Sequence, residues 1–398
     1  MLGNHFQGGD KMNGEIYLDN GATTKPYDEV VDEMIEMLNT YYGNPSSLHT
    51  KGIEAENAIN HTRKVIAGAL EVRIDEIFFT SGGTEANNIA VQGCALANRK
   101  KGNHIIVSSI EHPSILNTYK HLEQDGYSVS YIDVDDKGII DLNHFEREVR
   151  KETILVSIMH VNNEVGSIQP IASVKKVLQA KGCDAIYHVD AIQSFGKVYL
   201  NPKQIGIDVL TLSAHKLHGP KGVGAIYVKK GTHIRPIIFG GSQELDIRSG
   251  TENVAGIVGF GKAVEITFRN FEQNICKMRS LRDMLKKGII QEIEDIIIHS
   301  AHDEESAPHI LNISFVGIKA EVLLHALEAN NIFVSTGSAC SSNKPSPSHV
   351  LKAMKVSKVC IEGAIRFSVS TFNTPAEITY CIEQVAANVK QLRKYMRR

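Results

Sequence analysis

Short, almost wholly apolar runs recur through the first two-thirds of this chain, with amphipathic segments between them. The runs at 104–108, 154–159, 185–189, 209–212 and 225–228 are apolar at nearly every position rather than at every second one. A strand covered on both faces has this pattern. Segments 84–98, 113–124 and 171–181 instead repeat apolar residues at helical spacing. Alternation of the two patterns predicts an α/β sheet, largely parallel, with helices on both faces.

The texture changes after about residue 260. A long helical pattern covers 263–291, followed by strands at 296–299, 310–315, 332–336 and 364–370 mixed with helices. The last helix carries Ile378, Ile382, Val385, Val389, Leu392 and Met396 at 4-3-4-3-4 spacing, a single stripe facing a core. The chain has 398 residues, more than one core usually holds, so two domains are expected. Residues 16–262 are assigned to a large domain, with 16–30 packing on the smaller one, and 263–398 to a small α+β C-terminal domain. Residues 1–15 read as a disordered leader, with Met12 as an alternative initiator. This leader lacks the apolar region of a secretory signal.

A formal net charge of −2 gives no bulk electrostatic reason to expect nucleic acid or an anionic membrane as partner. No run approaches the length of a membrane span. The six cysteines, Cys94, Cys183, Cys276, Cys340, Cys360 and Cys381, are scattered without a CxxC pair. That spacing suits neither a disulfide framework nor a zinc site, so no metal is expected and the chain reads as cytoplasmic.

Asp190 closes the apolar run Ala-Ile-Tyr-His-Val-Asp, and Lys216 follows the next run in Leu-Ser-Ala-His-Lys-Leu-His-Gly-Pro-Lys-Gly. Ligands of open α/β sheets bind at such strand ends. Pyridoxal phosphate needs a lysine for its Schiff base and a carboxylate to keep its ring nitrogen protonated. Either residue alone would read as a helix cap or a surface lysine; the pair on neighbouring strand ends meets the cofactor's two needs.

Thr80-Ser81-Gly82-Gly83-Thr84-Glu85 follows Phe78-Phe79 and opens a helix. Paired glycines allow close backbone approach, and a helix N-terminus offers free N–H groups to one phosphate. The Gly-Lys-Ser/Thr of a Walker loop is absent. Ser213 and His215 flank the lysine and could donate to the same anion. A third signal is the small, polar segment 335–347, which surrounds Cys340 and ends in Pro345 and Pro347. Nucleophilic thiols work from accessible sites. From Ser341 to Ser346 an extended tether would reach on the order of 20 Å.

With these residues in place the chain resembles the cysteine desulfurases (NifS/IscS type) among the fold-type-I pyridoxal-phosphate enzymes of aminotransferase class V. The likeness runs from about residue 16 to 388. It is carried by Tyr-Leu-Asp-Asn-Gly-Ala-Thr-Thr (17–24), Gly-Asn-Pro-Ser-Ser-Leu-His (43–49), Ser-Gly-Gly-Thr-Glu-Ala-Asn-Asn (81–88), Glu-His-Pro-Ser (111–114) and Met-His-Val-Asn-Asn-Glu-Val-Gly (159–166). His-Val-Asp-Ala-Ile-Gln-Ser (188–194), Ser-Ala-His-Lys-Leu-His-Gly-Pro-Lys-Gly (213–222), Arg-Ser-Gly-Thr (248–251), Gly-Ser-Ala-Cys (337–340) and Ile-Arg-Phe-Ser (365–368) complete it.

The resemblance implies a large pyridoxal-phosphate domain on a mostly parallel sheet of seven strands, and a smaller α+β C-terminal domain carrying the Cys340 segment. It implies conversion of L-cysteine to L-alanine, with the sulfur held on Cys340 as a persulfide for iron–sulfur cluster assembly or thiolation of tRNA or cofactors. Lys216 would hold the cofactor and Asp190 its ring nitrogen, with His112 stacked on the ring as a possible proton shuttle. Gly83, Thr84, Ser213 and His215 would take the phosphate, with Thr251 donated by the partner of a homodimer. Asn163 and Gln193 would lie near the ring hydroxyl, and Asn163 beside the substrate. Arg366 would take the substrate carboxylate, a task for a planar fork. A sulfur-acceptor protein is the implied partner.

Gly21 departs from the family's usual second Asn, which predicts a looser turn near the substrate. The chain ends soon after its last helix, at Arg398, without the extension by which some members dock an iron–sulfur scaffold. Other readings of the same scaffold are a selenocysteine lyase, a class V aminotransferase, or a non-catalytic platform for a partner protein. The last two have no use for Cys340.

Overall fold

The structure is a computed structural model that describes residues 14–336 and 347–396. Twelve strands occur among them: β1 (Ile16–Tyr17), β2 (Ile77–Thr80), β3 (His104–Ser108), β4 (Ser128–Ile132), β5 (Thr153–Met159), β6 (Ile186–Asp190), β7 (Val209–Ser213), β8 (Gly224–Val228), β9 (Ile296–Ile298), β10 (Ile310–Phe315), β11 (Ile332–Phe333) and β12 (Ala364–Ser368).

Seven strands form one sheet in the order β2-β8-β7-β6-β5-β3-β4. Strands β7, β6, β5, β3 and β4 are mutually parallel, and β8 runs antiparallel to both of its neighbours. The five apolar runs read from the sequence are β3, β5, β6, β7 and β8, each buried along its whole length. The sequence reading did not assign β2 and β4 as strands. Strand β2 has only four residues, and the edge strand β4 is exposed at Ser128 and half-buried at the next three positions, so it carries no apolar run.

Side-chain alternation divides the sheet between two cores. Val156, Ile158, Tyr187, Val189, Leu210 and Leu212 pack on one face with the helix Thr50–Leu70 and the helix Val254–Arg269. Ile105, Val107, Leu155, Ile186 and Val209 pack on the other, against Ile89, Ile115 and Tyr119. A third core gathers the C-terminal part. There β12, β10 and β9 form a sheet, backed by the helix Phe271–Glu292 and the helix Pro375–Met396. The stripe expected on the last helix is present as far as Leu392: Ile378, Val385 and Val389 are buried, and Ile382 and Leu392 pack against the same core, while the Met396 side chain lies outside the described residues.

Two local expectations change. The helical pattern at 263–291 is two helices, Val254–Arg269 and Phe271–Glu292, parted at Asn270 with φ −127° and ψ 37°. The first buries Ile257, Phe260 and Val264 in the core beneath the large sheet, and the second buries Met278, Leu281 and Leu285 in the C-terminal core. Each helix serves a different core, so one straight rod cannot satisfy both. The strand expected at 332–336 shortens to β11, which pairs in parallel with β1; Ser335 then bridges to Arg366. Through β1 the N-terminal segment places Ile16 and Leu18 in the C-terminal core.

Candidate active site

Asp190 ends β6 and Lys216 lies in the single turn Ala214–Lys216 just after β7, so both stand at the C-terminal ends of adjacent parallel strands. Asp190 is 4% exposed. Its Oδ1 accepts from the Ile192 N–H at 2.9 Å and its Oδ2 from Asn87 Nδ2 at 2.9 Å. Burial pushes the Asp190 carboxyl upward, and these two bonds together with the Lys216 charge oppose that rise. Lys216 Nζ donates to the carbonyls of Gly21 and Ala22, each at 2.6 Å. Beneath it, the buried Lys197 Nζ donates to the Lys216 carbonyl at 2.6 Å. Burial, reinforced by the Lys216 charge, lowers Lys197 to about 7.

The glycine pair of the cradle has specific work. Gly82 holds φ +151°, which L side chains rarely adopt, and turns the chain from β2 into a helix that starts at Gly83. A Cβ on Gly83 would lie 2.3 Å from Ile192 Cδ1. The helix continues through one π turn, Ile89–Gly93, to Asn98. Thr84 is exposed at its first turn. Ser213 Oγ, at the end of β7, is buried and has no hydrogen-bond partner among the described residues. His215 Nδ1 meets Thr23 Oγ1 at 3.2 Å. Burial, then the charges of Lys216, Lys221 and Lys197, hold the His215 imidazole down at about 3, so it is neutral.

His112 caps the helix Pro113–Gln124 and its Nδ1 accepts from the Ser114 N–H at 3.2 Å. The neutral ring therefore carries its proton on Nε2. Burial and the Lys216 charge lower His112 to about 4. Gln193 Nε2 donates to the Gly21 carbonyl at 2.8 Å, and its Oε1 faces His309 Nε2 at 3.4 Å. Arg366 on β12 donates from Nη1 to the Asn163 carbonyl at 2.9 Å and from Nη2 to Asp19 Oδ1 at 2.6 Å. Arg366 Nε and Asn163 Oδ1 are buried without partners among the described residues.

The structure thus gathers Lys216, Asp190, Ser213, His215 and Gln193 at the strand ends, with Lys216, His215 and Gln193 linked through Gly21, Ala22 and Thr23, and Arg366 and Asn163 joined to each other. Thr251 is exposed just before the helix Val254–Arg269, and no hydrogen bond among the described residues ties it to this group. Cys340, with residues 337–346 of its segment, lies outside the described residues. Of the other cysteines, Cys94, Cys360 and Cys381 are buried, while Cys276 is exposed on its helix.

The turn at Gly21 is held, not loosened. Gly21 N–H donates to Ser368 Oγ at 2.7 Å, its carbonyl takes Lys216 and Gln193, and Asn20 Nδ2 ties the turn to the carbonyls of Tyr17 and Ser368. A Cβ at residue 21 would lie 3.3 Å from Arg366 Nε and 3.2 Å from Ser368 Oγ. Sequence reasoning also missed Asp19, Asn87 and Lys197 as neighbours of the site. Asp19 and Asn87 stand inside the quoted motifs, but nothing in a linear motif tells which side chain supports which.

Pyridoxal phosphate presents a dianionic phosphate, a ring nitrogen and a ring hydroxyl. The chain offers helix N-terminal N–H groups with a buried hydroxyl beside them that has no partner among the described residues, a buried carboxylate hydrogen-bonded by two neutral donors, and a primary amine at the neighbouring strand end. The donor set fits the cofactor.

Comparison with known proteins agrees. Residues 16–381 match the aminotransferase class-V family. The chain is 42% identical to cysteine desulfurase IscS of Dictyoglomus turgidum over 96% of each chain. It is 44% identical to a cysteine desulfurase of Trichormus azollae, over 95% of this chain and 94% of that one. Among solved structures, a NifS-like protein superposes with a TM-score of 0.90 at 39% identity, covering 95% of this chain and all of that one. A NifS-like protein from Rickettsia africae gives 0.85 at 33% identity over 95% and 100%. The chain belongs to the class-V aminotransferase family, pyridoxal-phosphate enzymes of the α/β fold described above. Within it the chain is one of the cysteine desulfurases.

Proposed function

We propose that this cysteine desulfurase works as a sulfur carrier that takes sulfur from L-cysteine onto Cys340, with the groups around Asp190 and Lys216 holding the cofactor. The N–H groups at Gly83 and Thr84, with Ser213 and His215, bind the phosphate. Asp190 would hold the ring nitrogen, His112 the ring face, and Asn163 and Gln193 the ring hydroxyl. When bound, the cofactor supplies an electron sink for the substrate α-carbon. Arg366 binds the substrate carboxylate, and the Lys216 amine moves the proton at the α-carbon. The Cys340 thiolate attacks the substrate sulfur; the C–S bond breaks with its electron pair left on carbon, which is protonated to give alanine. The sulfur stays as Cys340–S–SH until a sulfur-acceptor protein, an iron–sulfur scaffold or a thiolating enzyme, takes it.

The observation that carries this reading is the buried carboxylate and the amine on adjacent strand ends beside an unpartnered Ser213 hydroxyl. A homodimer is part of the proposal. Val31, Ile35, Leu38, Tyr42, Leu48 and Ile53 expose apolar side chains along one stretch of chain, a surface that a second copy would cover. Thr251 would serve the partner's phosphate site.

Cys340→Ser tests the carrier role. It retains bound cofactor and cysteine binding, because Lys216, Asp190 and Arg366 are intact, and it loses persulfide and sulfide formation. Mass spectrometry after one turnover places the added sulfur on the peptide bearing Cys340; sulfur on another cysteine overturns the assignment.

A further inference from the structure

A line of polar side chains crosses the otherwise apolar face of the large sheet and ends on Asp190. Ser157 and His188 are cross-strand neighbours on β5 and β6, and Asp190 and Thr211 are neighbours on β6 and β7. Side chains at alternate strand positions share a face, and Ile186 and Val209 belong to the core beneath the helices 83–98 and Pro113–Gln124. Tyr119, Ser157, His188, Thr211 and Asn87 are all fully buried. Such groups are costly unless paired, and here all are.

The direction of each bond follows from Asp190. Asn87 presents Nδ2 to the Asp190 carboxyl at 2.9 Å and turns Oδ1 away. Oδ1 then accepts the hydroxyl of Thr211 at 2.6 Å. With its hydrogen spent, Thr211 Oγ1 accepts from His188 Nε2 at 3.3 Å. The ring of His188 is neutral, since burial pushes it down to about 3, so Nδ1 accepts from Ser157 Oγ at 3.0 Å. Ser157 in turn accepts from Tyr119 Oη at 2.8 Å. Every donor in the line points toward Asp190, an arrangement in which each bond polarises the next. The second Asn87 amide hydrogen goes to Ser114 Oγ at 2.9 Å, and Ser114 Oγ lies 2.8 Å from His112 Nδ1.

We propose that Asn87 and Thr211 are positioning residues at the end of this relay, which holds Asp190 as an oriented anion and, through Ser114, sets the His112 ring in the same lattice. Asn87 couples the group proposed for the ring nitrogen to the group proposed for the ring face. Replacing the relay with apolar side chains would leave a carboxylate beneath the sheet's helices with one fewer donor. This rests on the reading of Asp190 as the ring-nitrogen partner.

The test titrates the apoprotein of each variant with pyridoxal phosphate, following the dissociation constant and absorbance maximum, and then measures kcat and KM. Thr211→Val keeps the volume and removes the hydroxyl. It is expected to weaken cofactor binding by up to roughly tenfold, about the size of one buried hydrogen bond between neutral groups, and to shift the absorbance maximum. Thr211→Ser restores both. Ser157→Ala, two links further out, changes both in the same direction by a smaller factor, and carries the test if Thr211→Val does not fold. Wild-type binding and spectrum in Thr211→Val or, failing that, in Ser157→Ala overturn the relay, provided that Asp190→Asn loses both. If Asp190→Asn also keeps them, the ring-nitrogen reading itself falls and takes the relay with it.

Discussion

Arg366 Nη2 lies 2.6 Å from Asp19 Oδ1, with Arg366 only 4% exposed at its side chain and Asp19 21%. The guanidinium proposed for the substrate carboxylate is therefore already paired with a carboxylate from the N-terminal segment, and its Nη1 is held by the Asn163 carbonyl. Nε remains without a partner among the described residues. Asp19 orients the fork, and its charge also opposes the incoming anion.

Asp19→Asn separates those two effects. The amide oxygen still accepts from Nη2, so the fork keeps its direction, while the competing charge is gone. KM for cysteine should fall by roughly fivefold, corresponding to about 1 kcal/mol between partly buried charges, with kcat little changed. A rise in KM would mean that charge pairing, not orientation, is what Asp19 contributes.

Lys216→Ala tests the amine at the strand end. Its Nζ now bonds the Gly21 and Ala22 carbonyls. The variant should lose turnover by at least about a thousandfold together with the visible absorbance of lysine-bound cofactor. Lys197, whose amine bonds the Lys216 backbone, does not replace it. Cysteine-to-alanine turnover near the parent rate would remove Lys216 from the mechanism.

Glu111 gives a pH prediction. Its Oε1 accepts from Ser108 Oγ and the Met159 N–H, while its buried Oε2 is unpartnered among the described residues. Burial raises this carboxyl from an ordinary 4.5 to about 8. Between those two values the folded chain keeps a proton that the unfolded chain releases. The stabilisation is thus complete below pH 4.5 and is lost as pH rises through 8. Glu111→Gln is neutral in both states. Its melting temperature should match the parent near pH 4.5 and exceed it above pH 8, by roughly 2–4 °C per kcal/mol. A gap that stays constant across pH would contradict a protonated Glu111.

Subunit exchange tests the proposed dimer. Lys216→Ala and Thr251→Ala, each purified with little activity, should regain part of it when mixed and allowed to exchange, because one hybrid site carries neither defect. Sedimentation of the active protein as a monomer would rule out a phosphate ligand given in trans.

The sequence by itself determined the sheet's centre and the chemistry. Strands β3, β5, β6, β7 and β8 are apolar at nearly every position because both of their faces are covered, and a burial pattern of that kind is visible one residue at a time. Asp190 and Lys216 were legible for a related reason: a charged residue at the end of such a strand stands out against its neighbours. Edge strand β4 and the break at Asn270 were not legible. The first lacks a continuous apolar run, and the second exists only because the two helices it parts serve different cores. Only the tertiary structure decided which side chains support the site. Asp19 meets Arg366 across 347 positions, Asn87 meets Asp190 across 103, and Gly21 meets Lys216 across 195. Hydrophobic periodicity is a local property, read from neighbours in the chain. A hydrogen bond between distant side chains depends on strand order, register and the turn that aims each group, and these are settled when the chain packs.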